Sequence, residues 1–167
     1  DVLVASTGVI GRPFPIEKVI NGLPRAVKTL SPEGGGMAAR AIMTTDTVRK
    51  ETSVEIEIGD TPVRIGAIAK GSGMIRPDMA TMFCFVTTDA DIEPPALRRA
   101  LRHAVAVSFN RITVDGDMST NDTVLVLANG CAGNPIIRGR SKAFDVFTDG
   151  LTEVCTRMAK ALVMDGE

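Results

Sequence analysis

Apolar residues recur at helical spacing in four parts of the chain, which predicts four helices. These parts are 16–30, 37–43, a stretch that begins at Pro94, and 151–163. Pro24 lies inside the first of them. Because proline lacks a backbone N–H and its ring clashes with the preceding turn, we expect it to kink or split this helix.

Segments with strand-like patterns alternate with these helices. Residues 54–58 alternate strictly between apolar and polar, and a Gly-Asp-Thr-Pro turn leads from them into 63–69, which predicts a β-hairpin. Short continuous apolar runs predict buried strands at 2–5, 82–88 and 123–128. The order lacks a strict β-α-β rhythm. We therefore predict a mixed α/β fold, with helices packed on largely antiparallel or mixed sheets.

Composition and charge narrow the classes of function. The 167 residues suit one domain, and a formal net charge of −1 gives no electrostatic footprint for nucleic acid or an anionic membrane. No apolar run approaches the roughly 18 residues that a membrane-spanning helix needs. The single histidine, His103, excludes multi-histidine metal sites within this chain. Three scattered cysteines favour a reducing compartment, so we expect a cytoplasmic protein that uses hydroxyls, amines and carboxylates.

Several single features favour structural roles when each is taken alone. The glycine-containing stretch 70–73 follows a predicted strand but fits neither the dinucleotide fingerprint nor the P-loop, and it indicates a tight turn. The stretch 115–117 is similar to a calcium loop, but Thr120 replaces the glycine that such a loop requires. His103 lies on a polar helix face, and Cys84 lies inside an apolar run typical of a buried, inert thiol.

The two ends of the sequence look like cuts in a longer polypeptide. Asp1 stands in place of a starting methionine and leads directly into an apolar run. At the other end, 165–167 follow a helical pattern at once. Natural termini are more often polar and loosely held. We therefore expect residues 1–167 to be the central fragment of a longer protein.

Five segments, in this order along the chain, carry a longer pattern. They are Ser-Thr-Gly-Val-Ile-Gly at 6–11, Ala-Ile-Met-Thr-Thr-Asp-Thr at 41–47, Ala-Lys-Gly-Ser-Gly-Met-Ile at 69–75 with Pro77 and Met-Ala-Thr-Met at 79–82, Asp-Gly-Asp-Met-Ser-Thr-Asn-Asp-Thr at 115–123, and Asp-Gly-Glu at 165–167. Together they resemble the ornithine acetyltransferase family, the bifunctional glutamate N-acetyltransferases of arginine biosynthesis. The resemblance covers essentially the whole chain. Asp78 departs from it, because asparagine is expected there.

This resemblance implies a layered αββα fold and a chain that cuts itself. Members of the family cleave before a threonine, which here lies between Ala80 and Thr81. Residues 1–80 would then end an α chain, and 81–167 would begin a β chain. The family also implies α/β heterodimer units that assemble into a homo-oligomer.

The resemblance also implies the roles of individual residues. Thr81 is the expected nucleophile, and its freed α-amine is the expected general base, because the pKa of an α-amine lies near about 7.7–8.0. The Thr7 hydroxyl and the Gly8 backbone N–H are the expected donors to the oxyanion. The expected substrate contacts are Thr44, Lys70 for a carboxylate, Thr81, and Glu167 for an ammonium group.

The reaction implied is a two-step transfer of an acetyl group from N-acetylornithine to glutamate through acetyl-Thr81, with ping-pong kinetics. It needs no metal and no bound organic cofactor, although some members of the family also take acetyl-CoA as a second acetyl donor. Two alternatives stay open. A related self-cleaving aminopeptidase or amidohydrolase would share Thr81 but pass the acyl group to water. An inactive scaffold fragment would leave the junction uncut.

Overall fold

The protein is described here by a computed structural model that covers residues 2–9, 11–75, 82–117 and 119–166. Within these ranges the α-helices are α1 (Ile16–Lys28), α2 (Gly35–Ala41), α3 (Pro94–Val107) and α4 (Lys142–Met164). The strands are β1 (Lys50–Ile58), β2 (Thr61–Lys70), β3 (Phe83–Thr88) and β4 (Thr123–Ala128), and short 3-10 helices span Pro32–Gly34 and Phe109–Arg111. None of the described helices is long and apolar enough to cross a membrane.

The strands form one mixed sheet in the order β1-β2-β3-β4. The predicted hairpin is confirmed: β1 pairs antiparallel with β2, and Gly59 adopts a φ of 66° in the turn between them. A positive φ costs glycine little because it has no Cβ. β2 pairs antiparallel with β3, whereas β3 and β4 run parallel. The chain passes through α3 between those two strands, as a parallel pair requires a crossover.

Helices α3 and α4 cover one face of this sheet, which confirms the predicted mixed α/β fold. The alternation of β2 buries Val63, Ile65, Ala67 and Ala69 on that face. Gly150 of α4 lies so close to the sheet that an added Cβ would stand 2.8 Å from the Ile56 side chain. The described residues therefore form one sheet and one helix layer packed against it.

For the N-terminal part of the chain, the predicted strand is wrong, and of the two outcomes predicted for Pro24 the division of the helix is wrong. Residues 2–5 form no strand, and Val2 and Val4 are 91% and 87% exposed, because no described strand lies beside them to pair with. Helix α1 continues through Pro24 instead of dividing there. None of its residues is buried, so water can satisfy the carbonyl that the missing proline N–H leaves behind.

Two further elements differ from their predictions in extent or burial. α4 begins at Lys142 rather than at 151, because Ser141 caps the helix: its Oγ accepts the Phe144 N–H at 3.1 Å. β4 is an edge strand rather than a buried one, and Leu127 is 51% exposed. Among the described strands β4 has β3 as its only neighbour, so one edge of it stays open.

The close contact at Gly150 gives a stability prediction. Gly150→Leu should lower the free energy of unfolding by about 1–3 kcal/mol, because the new side chain overpacks the α4–sheet contact. Urea unfolding followed by circular dichroism measures this change. Lys160→Leu, at an exposed position of the same helix, is the control and should stay within about 0.5 kcal/mol of the parent. Equal effects of the two substitutions would contradict the packing argument.

Candidate active site

A cleft of about 550 Å³ opens beside the end of β2. Four separate parts of the chain line it: the N-terminal segment, the turn after α2, the end of β2 with the turn that follows it, and the loop that carries Asp115. The cleft brings together four of the predicted site residues, namely Thr7, Gly8, Thr44 and Lys70. Because these residues are far apart in sequence, their convergence is a property of the tertiary structure.

Lys70 and Thr44 form a polar pair on the wall of this cleft. Lys70 is the last residue of β2 and is only 3% exposed. Its Nζ donates a hydrogen bond of 2.7 Å to Oγ1 of Thr44. Burial lowers the pKa of Lys70 below its ordinary value, although the carboxylate of Asp46 opposes that shift. The pair offers an ammonium and a hydroxyl to an anionic group in the cleft.

A second hydroxyl pair joins the same two turns. Oγ1 of Thr45 lies 2.5 Å from Oγ of Ser72, and Ser72 is 2% exposed. This contact ties the turn after α2 to the turn after β2. Both residues lie inside the segments that carry the family resemblance, but the sequence alone assigned no role to either of them.

Behind the cleft lies a buried ionic cluster that sequence analysis missed. Lys50 Nζ donates to Asp46 Oδ1 at 2.7 Å and to Asp165 Oδ2 at 2.5 Å. The side chains are 1%, 0% and 2% exposed, respectively. The available signal was the alternation of β1, in which Lys50 occupies the same face as Val54 and Ile58.

Hydrogen bonds keep both buried carboxylates of this cluster ionised. Burial raises the pKa of Asp165, but donation from Lys50 and Thr47 outweighs that effect and brings the pKa to about 2. Burial likewise opposes ionisation of Asp46, yet its bonds to the Gly71 N–H, Lys50 and the Thr44 N–H bring its pKa below the ordinary value. The cluster therefore links the turn after α2, the end of β2 and the end of α4.

Two further aspartates hold backbone N–H groups near the cleft. Asp115 accepts hydrogen bonds from the N–H groups of Met74 and Ile75, the latter at 3.1 Å. Asp122 accepts one from the Met82 N–H at 2.7 Å, and burial raises its pKa to about 6. These two carboxylates lie in the segment 115–123 and hold the chain on both sides of 76–81.

The N-terminal segment is tied to the same region by one side chain. Asn121 Nδ2 donates to the Ser6 carbonyl at 3.0 Å, directly before Thr7 and Gly8. The other predicted site residues, Ala80, Thr81 and Glu167, lie outside the described residues. In the described part of the chain, no group of three or more His, Cys, Asp or Glu side chains could hold a metal ion.

Two interpretations of single residues are confirmed. His103 is exposed on α3 and does not line the cleft. Cys84 is fully buried in β3, and burial raises the pKa of its thiol well above the ordinary value. A thiol held in its neutral form is a poor nucleophile, so Cys84 serves the core.

Residues 1–167 match the ArgJ family from end to end. The chain belongs to the ArgJ family. It is 58% identical over 164 residues to the arginine biosynthesis bifunctional protein ArgJ of Symbiobacterium thermophilum, covering 98% of this chain and 41% of that protein. It is 52% identical over 166 residues to the ArgJ protein of Bacillus subtilis, covering 99% of this chain and 40% of that one.

A crystal structure of the ArgJ protein of Bacillus halodurans is 44% identical, with a TM-score of 0.48, over 50% of this chain and 39% of that chain. The chain spans about 40% of the length of the curated ArgJ relatives named above. The predicted family resemblance is confirmed, because ArgJ relatives match almost all of this sequence.

The buried cluster of Lys50, Asp46 and Asp165 gives a second stability prediction. Lys50→Met should lower the free energy of unfolding by about 3–5 kcal/mol, because it leaves the Asp46 and Asp165 carboxylates buried without their cation. Chemical unfolding of the purified protein measures the loss. Arg64→Met is the control: its ion pair with Glu55 is exposed and should contribute no more than about 1 kcal/mol. A loss as small as that of the control would show that the cluster contributes little.

Proposed function

We propose that this chain carries the acyl-transfer site of an arginine-biosynthesis enzyme that moves an acetyl group from N-acetylornithine to glutamate. Its membership of the ArgJ family and its similarity to arginine biosynthesis bifunctional proteins support this proposal. The observation that carries it is the convergence of Thr7, Gly8, Thr44 and Lys70 on one cleft. Two of these residues suit an oxyanion, and the other two suit a substrate carboxylate.

The first proposed step is self-cleavage between Ala80 and Thr81. The Thr81 hydroxyl attacks the Ala80 carbonyl, an ester forms, and the peptide C–N bond breaks. Water then hydrolyses the ester, which leaves a carboxylate on Ala80 and a free α-amine on Thr81. The pKa of such an amine lies near about 7.7–8.0, so it can take a proton at a working pH.

Acetyl transfer follows in two balanced halves. The Thr81 amine takes the proton of its own hydroxyl, whose oxygen attacks the acetyl carbonyl of N-acetylornithine. The Thr7 hydroxyl and the Gly8 N–H donate to the oxyanion that forms. The departing amine of ornithine receives the proton, and acetyl-Thr81 remains. The amine of glutamate then attacks this ester, and the reverse proton movements release N-acetylglutamate and restore Thr81.

The charged groups of the substrate have distinct partners in this proposal. Lys70 and Thr44 bind the α-carboxylate, and Glu167 pairs with the side-chain ammonium of ornithine. No step requires a metal or an organic cofactor, and acetyl-CoA is a second acetyl donor to be tested. We place the enzyme in the cytoplasm, as α/β heterodimer units assembled into a homo-oligomer.

Peptide mass spectrometry after incubation with N-acetylornithine tests the proposal. The natural full-length polypeptide should be cut before Thr81 and carry an acetyl group on that residue. Thr81→Ala should abolish both the cleavage and the acetylation. Thr87 is an exposed threonine of β3, and Thr87→Ala should leave both unchanged. Acetyl transfer to water but not to glutamate would favour a hydrolase. A chain that stays uncut under all conditions would favour a scaffold.

The oxyanion role of Thr7 gives a kinetic prediction. Thr7→Ala should slow acetyl transfer by about 10²–10³-fold, the usual effect of losing one oxyanion donor. Steady-state kinetics of the cleaved protein measure the change, and thermal unfolding checks the fold. Ser6→Ala is the matched control, because the exposed Ser6 lies next to Thr7 but does not line the cleft. Unchanged turnover in the Thr7 variant would remove this residue from the site.

A further inference from the structure

Asp46 lies behind the cleft and contacts the backbone of both turns that present the Lys70–Thr44 pair. Its Oδ1 accepts a hydrogen bond of 2.6 Å from the N–H of Gly71, the residue that follows Lys70. Its Oδ2 accepts one of 3.1 Å from the N–H of Thr44 itself. The Asp46 side chain is 0% exposed, so no water competes for these bonds. One carboxylate thereby fixes the spacing between an ammonium group and a hydroxyl.

Lys50 has a second counter-ion besides Asp46. Lys50 also pairs with Asp165 at 2.5 Å, so two carboxylates surround one ammonium group. The surplus negative charge faces Lys70, whose charged form Asp46 stabilises. Asp46 therefore acts on Lys70 in two ways, through the adjacent backbone and through its charge.

We propose that Asp46 is a positioning residue that makes this site select acyl donors bearing a carboxylate. It does so by holding the Lys70 ammonium and the Thr44 hydroxyl at one spacing. This inference rests on the proposed function, in which that pair binds the substrate carboxylate. Asp46, which lies behind the cleft, would then determine how strongly the site prefers donors with a carboxylate over simple acetyl esters.

Asp46→Asn is the informative substitution. The amide keeps one oxygen but cannot accept from all three donors that converge on Asp46, and it removes the negative charge. Lys50 keeps Asp165 as its partner, so the buried cation is not left alone. Thermal unfolding of the full natural polypeptide carrying this substitution tests whether the variant folds.

In the cleaved protein, Asp46→Asn should raise KM for N-acetylornithine about 10- to 100-fold, the range expected for weakening one or two charged hydrogen bonds. The kcat value should change less, because the reacting atoms are untouched. Acetylation of Thr81 by p-nitrophenyl acetate, which has no carboxylate, should change by no more than about threefold.

The pH profile separates a change in electrostatics from a general loss of structure. Lys70 binds a carboxylate only when protonated, and it is faced by Asp46, Lys50 and Asp122. Removing the Asp46 charge should lower the pKa of Lys70, so the alkaline loss of N-acetylornithine binding should move to lower pH. Lys70→Met should abolish this limb, and adding Asp46→Asn to it should raise KM little further.

Asp46→Glu distinguishes the effect of the carboxylate's position from the effect of its charge. It also tests the inference if Asp46→Asn fails to fold. The extra methylene displaces the carboxylate from the two N–H groups but retains the charge. KM should therefore rise while the alkaline limb stays in place. Unchanged KM in a folded variant, or equal losses with both donors, would overturn the inference. Absence of acetyl-Thr81 in the unsubstituted protein would instead overturn the proposed function.

Discussion

The buried ammonium of Lys50 is the constraint on which the rest of this structure depends. A charge at 1% side-chain exposure is tolerable only if it is paired with carboxylates, and Asp46 and Asp165 are far apart in sequence. Their pairing fastens the turn after α2 and the end of α4 to the first residue of β1. The cluster lies behind the cleft, and Asp46 connects it to two of the cleft walls through the Thr44 and Gly71 N–H groups.

Carboxylates also explain how a site built from loops keeps its shape. Backbone N–H groups in loops have no hydrogen-bond partner in a neighbouring strand. Leaving such a group unpaired where it is partly buried would destabilise the fold. Asp46, Asp115 and Asp122 accept such groups from Gly71, from Met74 and Ile75, and from Met82. These three aspartates therefore act as hydrogen-bond acceptors for the backbone. The cleft itself is lined by the Lys70 ammonium, by hydroxyl side chains and by Asp115.

Several of the elements that periodicity predicted well have their partners among the described residues, although helix α1 was also predicted and none of its residues is buried. The hairpin of β1 and β2, the strand β3 and the helix α3 all find their neighbours among the described residues. The predictions of buried strands were wrong where an apolar run has no partner to pack against among the described residues. Residues 2–5 are apolar but unpaired, and β4 is apolar with one open edge. An apolar run indicates that a segment favours burial, but it does not identify the element that packs against that segment.

The sequence by itself determined the family, the order of the main elements and the expected site residues. Short motifs and local periodicity involve residues that are close together in sequence, so they can be recognised without the tertiary structure. It also placed Thr7, Gly8, Thr44 and Lys70 in one site by resemblance. Only the tertiary structure decided that Lys50 is buried between two aspartates and that Asp46 contacts both substrate-facing turns. Burial and ion pairing depend on contacts between residues that are far apart in sequence, and no local sequence pattern encodes those contacts.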